Sequence, residues 1–219
     1  MRTFFSRPRF ALCSSMSIVG VLFLSAMPSA QAQYFGSTQY IEPPYSSVVL
    51  GYAQASFDDY SDNGSDLNFR FEQQLLHNMY LSGQYYDVSQ AQDGFSFPVE
   101  IEDIQLGLGY MERSELGPHV DASVLIGRET FQRPIADEPN AAMNEESNYF
   151  GLQIGLREVN GPIEVQAALS YLFHDGNRDD QIRWHIGGYL TVWQTLSVGL
   201  RYQDNEDYSV RSVEVRFSW

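Results

Sequence analysis

The residues of this sequence that could do chemistry stand at alternate positions of short segments. Arginine and acidic side chains recur there, together with one histidine. Opposite charges on neighbouring segments could fill a narrow polar interior with ion pairs, because a buried charge needs a partner. The same residues could instead line a polar channel, in which a mild excess of arginine would favour small anions. This predicted polar network comprises Arg70, Glu72, Asp121, Arg157, Glu164, Arg183, His185, Arg201, Glu214 and Arg216.

A serine and a histidine in such an interior suggest a nucleophile and its base. A hairpin centred near Arg178 predicts that His185 lies near Ser170, with Glu164 nearby. Serine and histidine in a polar interior usually form ordinary hydrogen bonds, however. The sequence contains no nucleophile elbow, HExxH, P-loop or dinucleotide-binding motif. We therefore expect no enzyme and no cofactor, and we keep a hydrolase as the least favoured alternative.

An acidic stretch at residues 58–66 has the composition of a calcium-binding loop. With Gly64 as the turn glycine, Asp59, Ser61 and Asn63 take ligand positions. The twelfth position is then Arg70, where an EF-hand needs a bidentate glutamate. The stretch therefore fails as an EF-hand, and no metal site is predicted. The acidic segments are interpreted as a solvated, self-repelling surface.

The elements that position these residues are β-strands, because apolar and polar residues alternate with a period of two. Segment 120–127 places Val, Ala, Val and Ile on one face and Asp, Ser, Leu and Gly on the other. Ten such segments are predicted, each of roughly 9–13 residues, with eight strands as the alternative. Tilted strands of this length can cross a bilayer.

The connections between these segments alternate between short and long. Short ones fall near residues 76–78, 113–119, 160–162 and 194–195, and longer acidic ones near 58–65, 89–102, 132–147, 175–181 and 203–207. This asymmetry is typical of a transmembrane barrel with short periplasmic turns and longer external loops. Aromatic residues at the predicted strand ends suggest two interfacial belts. They are Phe57, Tyr60, Phe131, Phe150, Phe173, Tyr202 and Tyr208, and Tyr80, Tyr110, Trp193, Phe217 and Trp219.

The N-terminus has the pattern of a secretory signal peptide. Three arginines precede a short apolar run at residues 17–27, and Ala30 and Ala32 form a small-x-small cleavage pattern. We predict a signal peptide at residues 1–32, a short periplasmic segment at 33–44 and a barrel at 45–219. Removing three of the 13 basic residues and none of the 28 acidic ones changes the net charge from −15 to −18. That acidity argues against nucleic-acid binding.

The last segment ends in an aromatic residue and carries large apolar side chains at steps of two. These are Val213, Val215, Phe217 and Trp219. This looks like the terminal signal by which the barrel-assembly machinery of Gram-negative bacteria recognises its substrates. Together with the signal peptide, it makes the chain resemble the small outer-membrane β-barrel families of the OmpA-like or porin-like type. The chain departs from the OmpA barrel in having ten predicted strands rather than eight, and we expect no C-terminal peptidoglycan-binding domain.

The resemblance and the alternation together define the expected protein. It is an all-β, transmembrane, antiparallel up-and-down β-barrel in the cell outer membrane, and we expect a monomer. Its expected function is structural or surface-interacting, with a lumen filled by polar side chains; the alternative is a narrow porin for small solutes. Expected partners are outer-membrane lipid, lipopolysaccharide bridged through divalent cations, and the assembly machinery during biogenesis.

Overall fold

The computed structural model describes residues 43–57, 63–91, 96–112, 117–135, 138–176 and 178–219. The predicted signal peptide at 1–32 lies outside the described residues, and so does most of the predicted periplasmic segment. Asp58, Asp59 and Ser61 of the acidic stretch also lie outside them, as does Tyr60 of the predicted aromatic belts.

Ten β-strands make up the described chain. They are β1 (Ser47–Phe57), β2 (Asn63–Leu76), β3 (Met79–Gln90), β4 (Val99–Glu112), β5 (His119–Ile135), β6 (Glu138–Asn160), β7 (Ile163–His174), β8 (Gln181–Trp193), β9 (Leu196–Asp204) and β10 (Tyr208–Ser218). Each strand pairs antiparallel with its sequence neighbours, and β1 pairs with β10 to close the barrel. The predicted all-β, ten-stranded, up-and-down barrel is confirmed.

The alternation in the sequence becomes an inside and an outside of the barrel wall. Along β1, side chains at odd positions from Ser47 to Phe57 are buried, whereas Leu50 and Tyr52 are more than half exposed. On β4, Leu106 is 46% exposed, and on β9, Leu200 is 66% exposed. Successive side chains of a strand point to opposite faces, so one face carries the apolar residues and the other the polar network. The apolar face therefore lies on the outside.

The two ends of the barrel differ in their connections. The end that we call the turn side carries the termini of the barrel and the connections 77–78, 113–118, 161–162 and 194–195. Gly161 has a positive φ of 60°, which an L-residue with a side chain rarely adopts, and it permits the two-residue turn between β6 and β7. The end that we call the loop side carries the connections after β1, β3, β5, β7 and β9.

One predicted long loop is wrong. Residues 132–135 belong to β5, which continues to Ile135, and residues 138–147 belong to β6, which starts at Glu138. Arg133 pairs with Met143 and Pro134 with Ala142 in register across this hairpin. The reason is that a two-stranded extension can continue its hydrogen-bond ladder beyond the apolar band, where its polar residues are solvated.

Candidate functional site in the barrel lumen

All ten side chains of the predicted polar network belong to the inward-facing positions of β2 and β5–β10. Glu214 and Arg183 are 0% and 3% exposed, and His185 is half-buried. Charged groups this deep in a narrow barrel need partners, since an unpaired buried charge is strongly destabilising. Their contacts therefore decide whether the lumen is cross-linked or open.

Four residues near the loop side form what we call the loop-side ion cluster: Asp103, Glu129, Arg178 and Arg183. Arg183 on β8 donates from Nη1 to Asp103 at 2.9 Å and from Nη2 to Glu129 at 2.6 Å. Arg178, from the β7–β8 connection, pairs with the other oxygen of Glu129 and with Asp207 at 2.9 Å. Both carboxylates are fully buried. Two guanidinium groups thus match two buried carboxylates.

Tyrosine hydroxyls complete the loop-side ion cluster. Tyr149 donates to Asp103 at 2.8 Å and Tyr208 donates to Glu129 at 3.1 Å. The hydroxyls of Tyr208 and Tyr86 lie 2.5 Å apart. The rings of Tyr86 and Tyr208 belong to a buried apolar cluster inside the barrel. Its other members are Ala53, Ala55, Phe57, Val88, Val99, Ile101, Phe131 and Val210. This part of the lumen is packed with side chains.

A second group of contacts fills the lumen near the turn side. Arg157 on β6 donates two hydrogen bonds to Glu72 on β2, at 2.7 and 2.5 Å. Its Nε lies 3.6 Å from Asp121, which also accepts from Tyr80 at 2.9 Å and from Tyr45 at 3.4 Å. The guanidinium of Arg157 lies over the Tyr45 ring, 4.5 Å from its centre. Two-point binding and a cation–π contact hold this arginine across the lumen.

Arg216 and Glu164 form a third buried pair. Nη1 and Nη2 of Arg216 donate to the two carboxylate oxygens of Glu164 at 2.9 and 2.6 Å. Arg216 also lies over the Tyr189 ring at 4.0 Å from its centre. The pair joins β10 to β7, which are three strands apart around the wall.

Glu214 is fully occupied by hydrogen-bond donors. One oxygen accepts from Ser212 at 2.7 Å and from Asn68 at 3.4 Å. The other accepts from Arg70 at 2.6 Å and from the Tyr189 hydroxyl. A carboxylate offers about four lone-pair positions, so Glu214 has none left for another partner.

Arg201 differs from the other lumen arginines. Its Nη1 donates to the side-chain oxygen of Gln84 at 2.8 Å, and its Nε is buried without a partner. Within the described ranges no carboxylate forms a salt bridge with it. Arg201 lines a cavity of about 60 Å³ together with Arg70, Arg157, Arg216, His185 and Glu72.

Glycines on the inner wall make room for the tyrosine rings. Tyr80, Tyr149 and Tyr189 lie directly opposite Gly109, Gly127 and Gly199 on the adjacent strands. A Cβ added at any of these glycines would collide with the opposing ring. The narrow lumen can therefore hold both the rings and the charged side chains.

The structure pairs the network differently from the expectation of ion pairs on neighbouring strands. Arg157 reaches Glu72 four strands away, and Arg183 reaches Glu129 three strands away. The physical reason is that an arginine can extend across a narrow barrel, whereas direct neighbours on one wall leave the centre unfilled. The ion pairs thus span the lumen.

Sequence reasoning missed three charged residues of the lumen: Asp103, Glu129 and Arg178. Asp103 stands two positions before the inward Gln105, and Glu129 stands two positions after the inward Gly127. Extending the alternation by one step on β4 and β5 would have found both. No periodic signal identifies Arg178, since it lies in a connection rather than in a strand.

The suggested nucleophile and base are not brought together as expected. Ser170 lies opposite Arg183, and His185 lies opposite Ala168, so the predicted register is wrong by two residues. The hydroxyl of Ser170 donates instead to the side-chain oxygen of Gln153 at 3.0 Å. These positions do not favour a hydrolytic pair.

The predicted aromatic belts are correct only in part. Phe150, Phe173, Tyr110, Trp193 and Phe217 are exposed on the outer face. Four other members of the predicted belts instead lie buried in the lumen: Phe57, Phe131, Tyr208 and Tyr80. The parity of their positions assigns them to the inner face, and that parity outweighs their closeness to a strand end.

Three of the four residues of the proposed C-terminal assembly signal take outward positions on the last strand. Val213, Val215 and Phe217 are exposed on β10, and Trp219 follows its end. This places an apolar row on the outer surface of the strand that closes the barrel against β1. Recognition by the assembly machinery stays a prediction.

The described loops offer local hydrogen bonding rather than an evident ligand site. Asp175, after β7, accepts from the side-chain amide of Asn148 at 3.0 Å and from its backbone N–H at 2.8 Å. These bonds hold the pKa of Asp175 below its ordinary value. Among the described residues, no group of three or more His, Cys, Asp or Glu is placed to hold a metal ion. The same residues include no helix long and apolar enough to cross a membrane.

Comparisons with known proteins return barrels of low similarity. No protein-family model matches the sequence, and no curated protein matches it. The N-terminal β-barrel domain of Pseudomonas aeruginosa OprF is 10% identical with a TM-score of 0.44, covering 80% of this chain and 100% of that chain. The translocator domain of the autotransporter NalP from Neisseria meningitidis is 10% identical with a TM-score of 0.42, covering 94% and 97%.

A third match is the KdgM porin in complex with disordered oligogalacturonate. It is 9% identical with a TM-score of 0.40, covering 78% of this chain and 99% of that chain. This chain is similar to all three only at low identity and a low TM-score. At identities and TM-scores this low, no function is taken from them.

Proposed function

We propose that this chain is an integral barrel of the Gram-negative outer membrane with a structural or surface-interaction role and a lumen closed by its own side chains. The outer face supports the membrane location, since exposed leucine, isoleucine and valine side chains surround the wall. A soluble protein rarely exposes a continuous apolar surface of this kind. Lipid contact removes that surface from water.

The observation that carries the closed lumen is the set of ion pairs that cross it. Arg183, Arg157 and Arg216 each bind a carboxylate at least three strands away. Each pair places a bulky, hydrogen-bonded group in the path of a solute. Opening a passage would require breaking buried pairs, which is expensive once the partner charge is left unpaired.

The surface role is proposed for the loop side, which we expect to face outward from the cell. Acidic residues of the connections there are proposed to meet lipopolysaccharide phosphates through bridging Mg²⁺ or Ca²⁺, since carboxylates are ligands of both ions. The apolar row that ends in Trp219 is proposed to engage the assembly machinery. We propose a monomer that is anchored by lipid contact alone.

Planar-bilayer recording of the purified full chain tests the closed lumen. We expect an electrically silent membrane, with the ability of the same protein preparation to insert verified in parallel by protection of the strands from protease in lipid vesicles. A reproducible unit conductance from inserted protein would contradict a closed lumen and favour a narrow porin.

One observation favours the porin as the second candidate: the arginine-lined cavity within the lumen. A conducting pathway built on it would prefer anions. Reversal potentials in a salt gradient distinguish this candidate, since a porin of this kind would show anion selectivity that the Arg201→Gln variant reduces. The matched control is Arg211→Gln, which alters an exposed arginine on the outer face of β10.

A further inference from the structure

The six lumen arginines are unequal in their partners. Arg70, Arg157, Arg178, Arg183 and Arg216 each form a salt bridge with a buried or half-buried carboxylate. Arg201 forms none in the described part of the chain, and its hydrogen bond goes to an uncharged amide, Gln84. The charge of Arg201 is therefore not neutralised by a direct partner.

The nearest inward carboxylate along the wall cannot supply that partner. Arg201 lies opposite Ser212 and Gly199 lies opposite Glu214, so Arg201 and Glu214 are diagonal neighbours. Both oxygens of Glu214 are already occupied by four donors, from Ser212, Asn68, Arg70 and Tyr189. Glu214 therefore has no free oxygen lone pair with which to accept a hydrogen bond from Arg201.

Three of the arginines around the cavity keep a hydrogen-bond donor without a partner. The Nε atoms of Arg70, Arg201 and Arg216 are buried and have no hydrogen-bond partner. All three arginines line the same cavity of about 60 Å³. The one carboxylate in its lining, Glu72, is bound at both oxygens by Arg157. The cavity is thus bordered by four arginines and by a single carboxylate that is already paired.

Size and charge together define what such a cavity can hold. A cavity of about 60 Å³ has room for roughly four water-sized groups. Four guanidinium groups repel a cation, and an apolar solute would leave their donors unsatisfied. A single negative charge neutralises the one arginine that lacks a carboxylate, and spherical halides accept hydrogen bonds from several directions.

We infer that the cavity bounded by Arg201, Arg70 and Arg216 is a binding site for a small monovalent inorganic anion of the chloride class. The anion takes the place of the missing carboxylate and joins β9 to the rest of the network. This role goes beyond the structural function proposed above, because the site binds its anion whether or not the lumen conducts.

Bromide locates the site directly, since it scatters anomalously and resembles chloride. Crystals of the full chain grown in sodium bromide are expected to show an anomalous peak within about 3.5 Å of an Arg201 guanidinium nitrogen, a halide contact slightly longer than an ordinary N–H···O bond. An anomalous map with peaks only at exposed arginines, or with none, would overturn the inference.

Thermal unfolding provides the solution test. At constant ionic strength, replacing sodium gluconate with sodium bromide should raise the Tm, because gluconate is too large for the cavity and a ligand of the native state stabilises it. The apparent bromide Kd from this series should weaken at least tenfold in Arg201→Gln. The exposed control Arg211→Gln should keep the wild-type Kd.

A charge-conserving variant separates anion binding from a structural loss. Arg201→Lys keeps the positive charge and should retain more of the bromide effect than Arg201→Gln. Equal bromide responses in wild type, Arg201→Gln and Arg211→Gln would show a general salt effect and contradict the site. If Arg201→Gln does not fold, the wild-type anomalous map decides the question alone.

Discussion

The loop-side ion cluster and the arginine-lined cavity use the same kinds of residue to different ends. In the cluster, Arg178 and Arg183 meet Asp103 and Glu129, with tyrosine hydroxyls completing both carboxylates. In the cavity, Arg201 meets only an amide. The cluster cross-links the wall, whereas the cavity retains a charge available to a ligand. Matching of charges, rather than the presence of arginine, therefore decides the role of each region.

The largest effect is expected from removing the central cation of the loop-side ion cluster. Arg183→Met leaves Asp103 without its guanidinium and should lower the free energy of unfolding by about 3–5 kcal/mol, because a buried charge loses its partner. Urea unfolding in lipid vesicles, followed by tryptophan fluorescence, measures this loss.

The matched control for Arg183 is an exposed ion pair. Arg128 and Glu146 pair near the loop side with side chains 51% and 55% exposed. Arg128→Gln should cost about 0–1 kcal/mol, as solvated pairs contribute little. Equal losses in the two variants would show that the buried cluster is not a special cross-link.

An arginine placed on the outside should be costly for the opposite reason. Leu106→Arg on β4 puts a charge in the apolar band and should destabilise the barrel by about 2–4 kcal/mol, with Leu75→Arg beside a turn costing about 0–1 kcal/mol. Unfolding in vesicles compares the two. If both variants behave alike, the outer face does not meet lipid as proposed.

Next to the cavity, the hydroxyl of Tyr189 accepts a hydrogen bond from Arg70 and donates one to Glu214. Gly199→Val would push a side chain into that ring and should cost about 1–3 kcal/mol through overpacking. Gly188→Val is the control, since an added Cβ there meets its nearest neighbour, the backbone oxygen of Glu164, at 3.8 Å. Similar unfolding free energies for both variants would contradict this packing.

The smallest effect is expected at Arg201. Arg201→Gln should change the free energy of unfolding in anion-free buffer by at most about 1 kcal/mol, because no carboxylate loses its partner and one hydrogen bond to Gln84 is altered. The same urea series measures it. A loss of unfolding free energy as large as that of Arg183→Met would contradict the difference between the loop-side ion cluster and the arginine-lined cavity.

The sequence predicts which side chains face inward, because side chains along a strand alternate between the two faces and the barrel wall is a single β-sheet. Arg157 and Glu164 could be assigned to the lumen on that basis alone. Their partners could not be predicted, because the tilt and stagger of the closed barrel decide which strands meet across the centre. The same limit applies to Ser170 and His185, whose register depends on the hairpin geometry.

Other differences between the prediction and the structure lie near the strand ends, where the alternation of inward and outward residues continues. Tyr80 and Tyr208 have the parity of lumen residues, yet their closeness to strand ends suggested the outer belts. Asp103 and Glu129 lie one alternating step beyond the inward residues Gln105 and Gly127. That Arg201 has no carboxylate partner could not be predicted from the alternation at all, because it depends on which side chains meet across the closed barrel.

Buried charges couple strands across the lumen, and the pair of Glu164 and Arg216 tests this coupling most directly. Their side chains are 3% and 4% exposed. Unfolding free energies of Glu164→Leu, Arg216→Met and the double variant form a double-mutant cycle. We expect each single change to cost about 3–5 kcal/mol. The double variant should cost less than their sum by about 2–3 kcal/mol. Losses that add to within about 0.5 kcal/mol would contradict the claim.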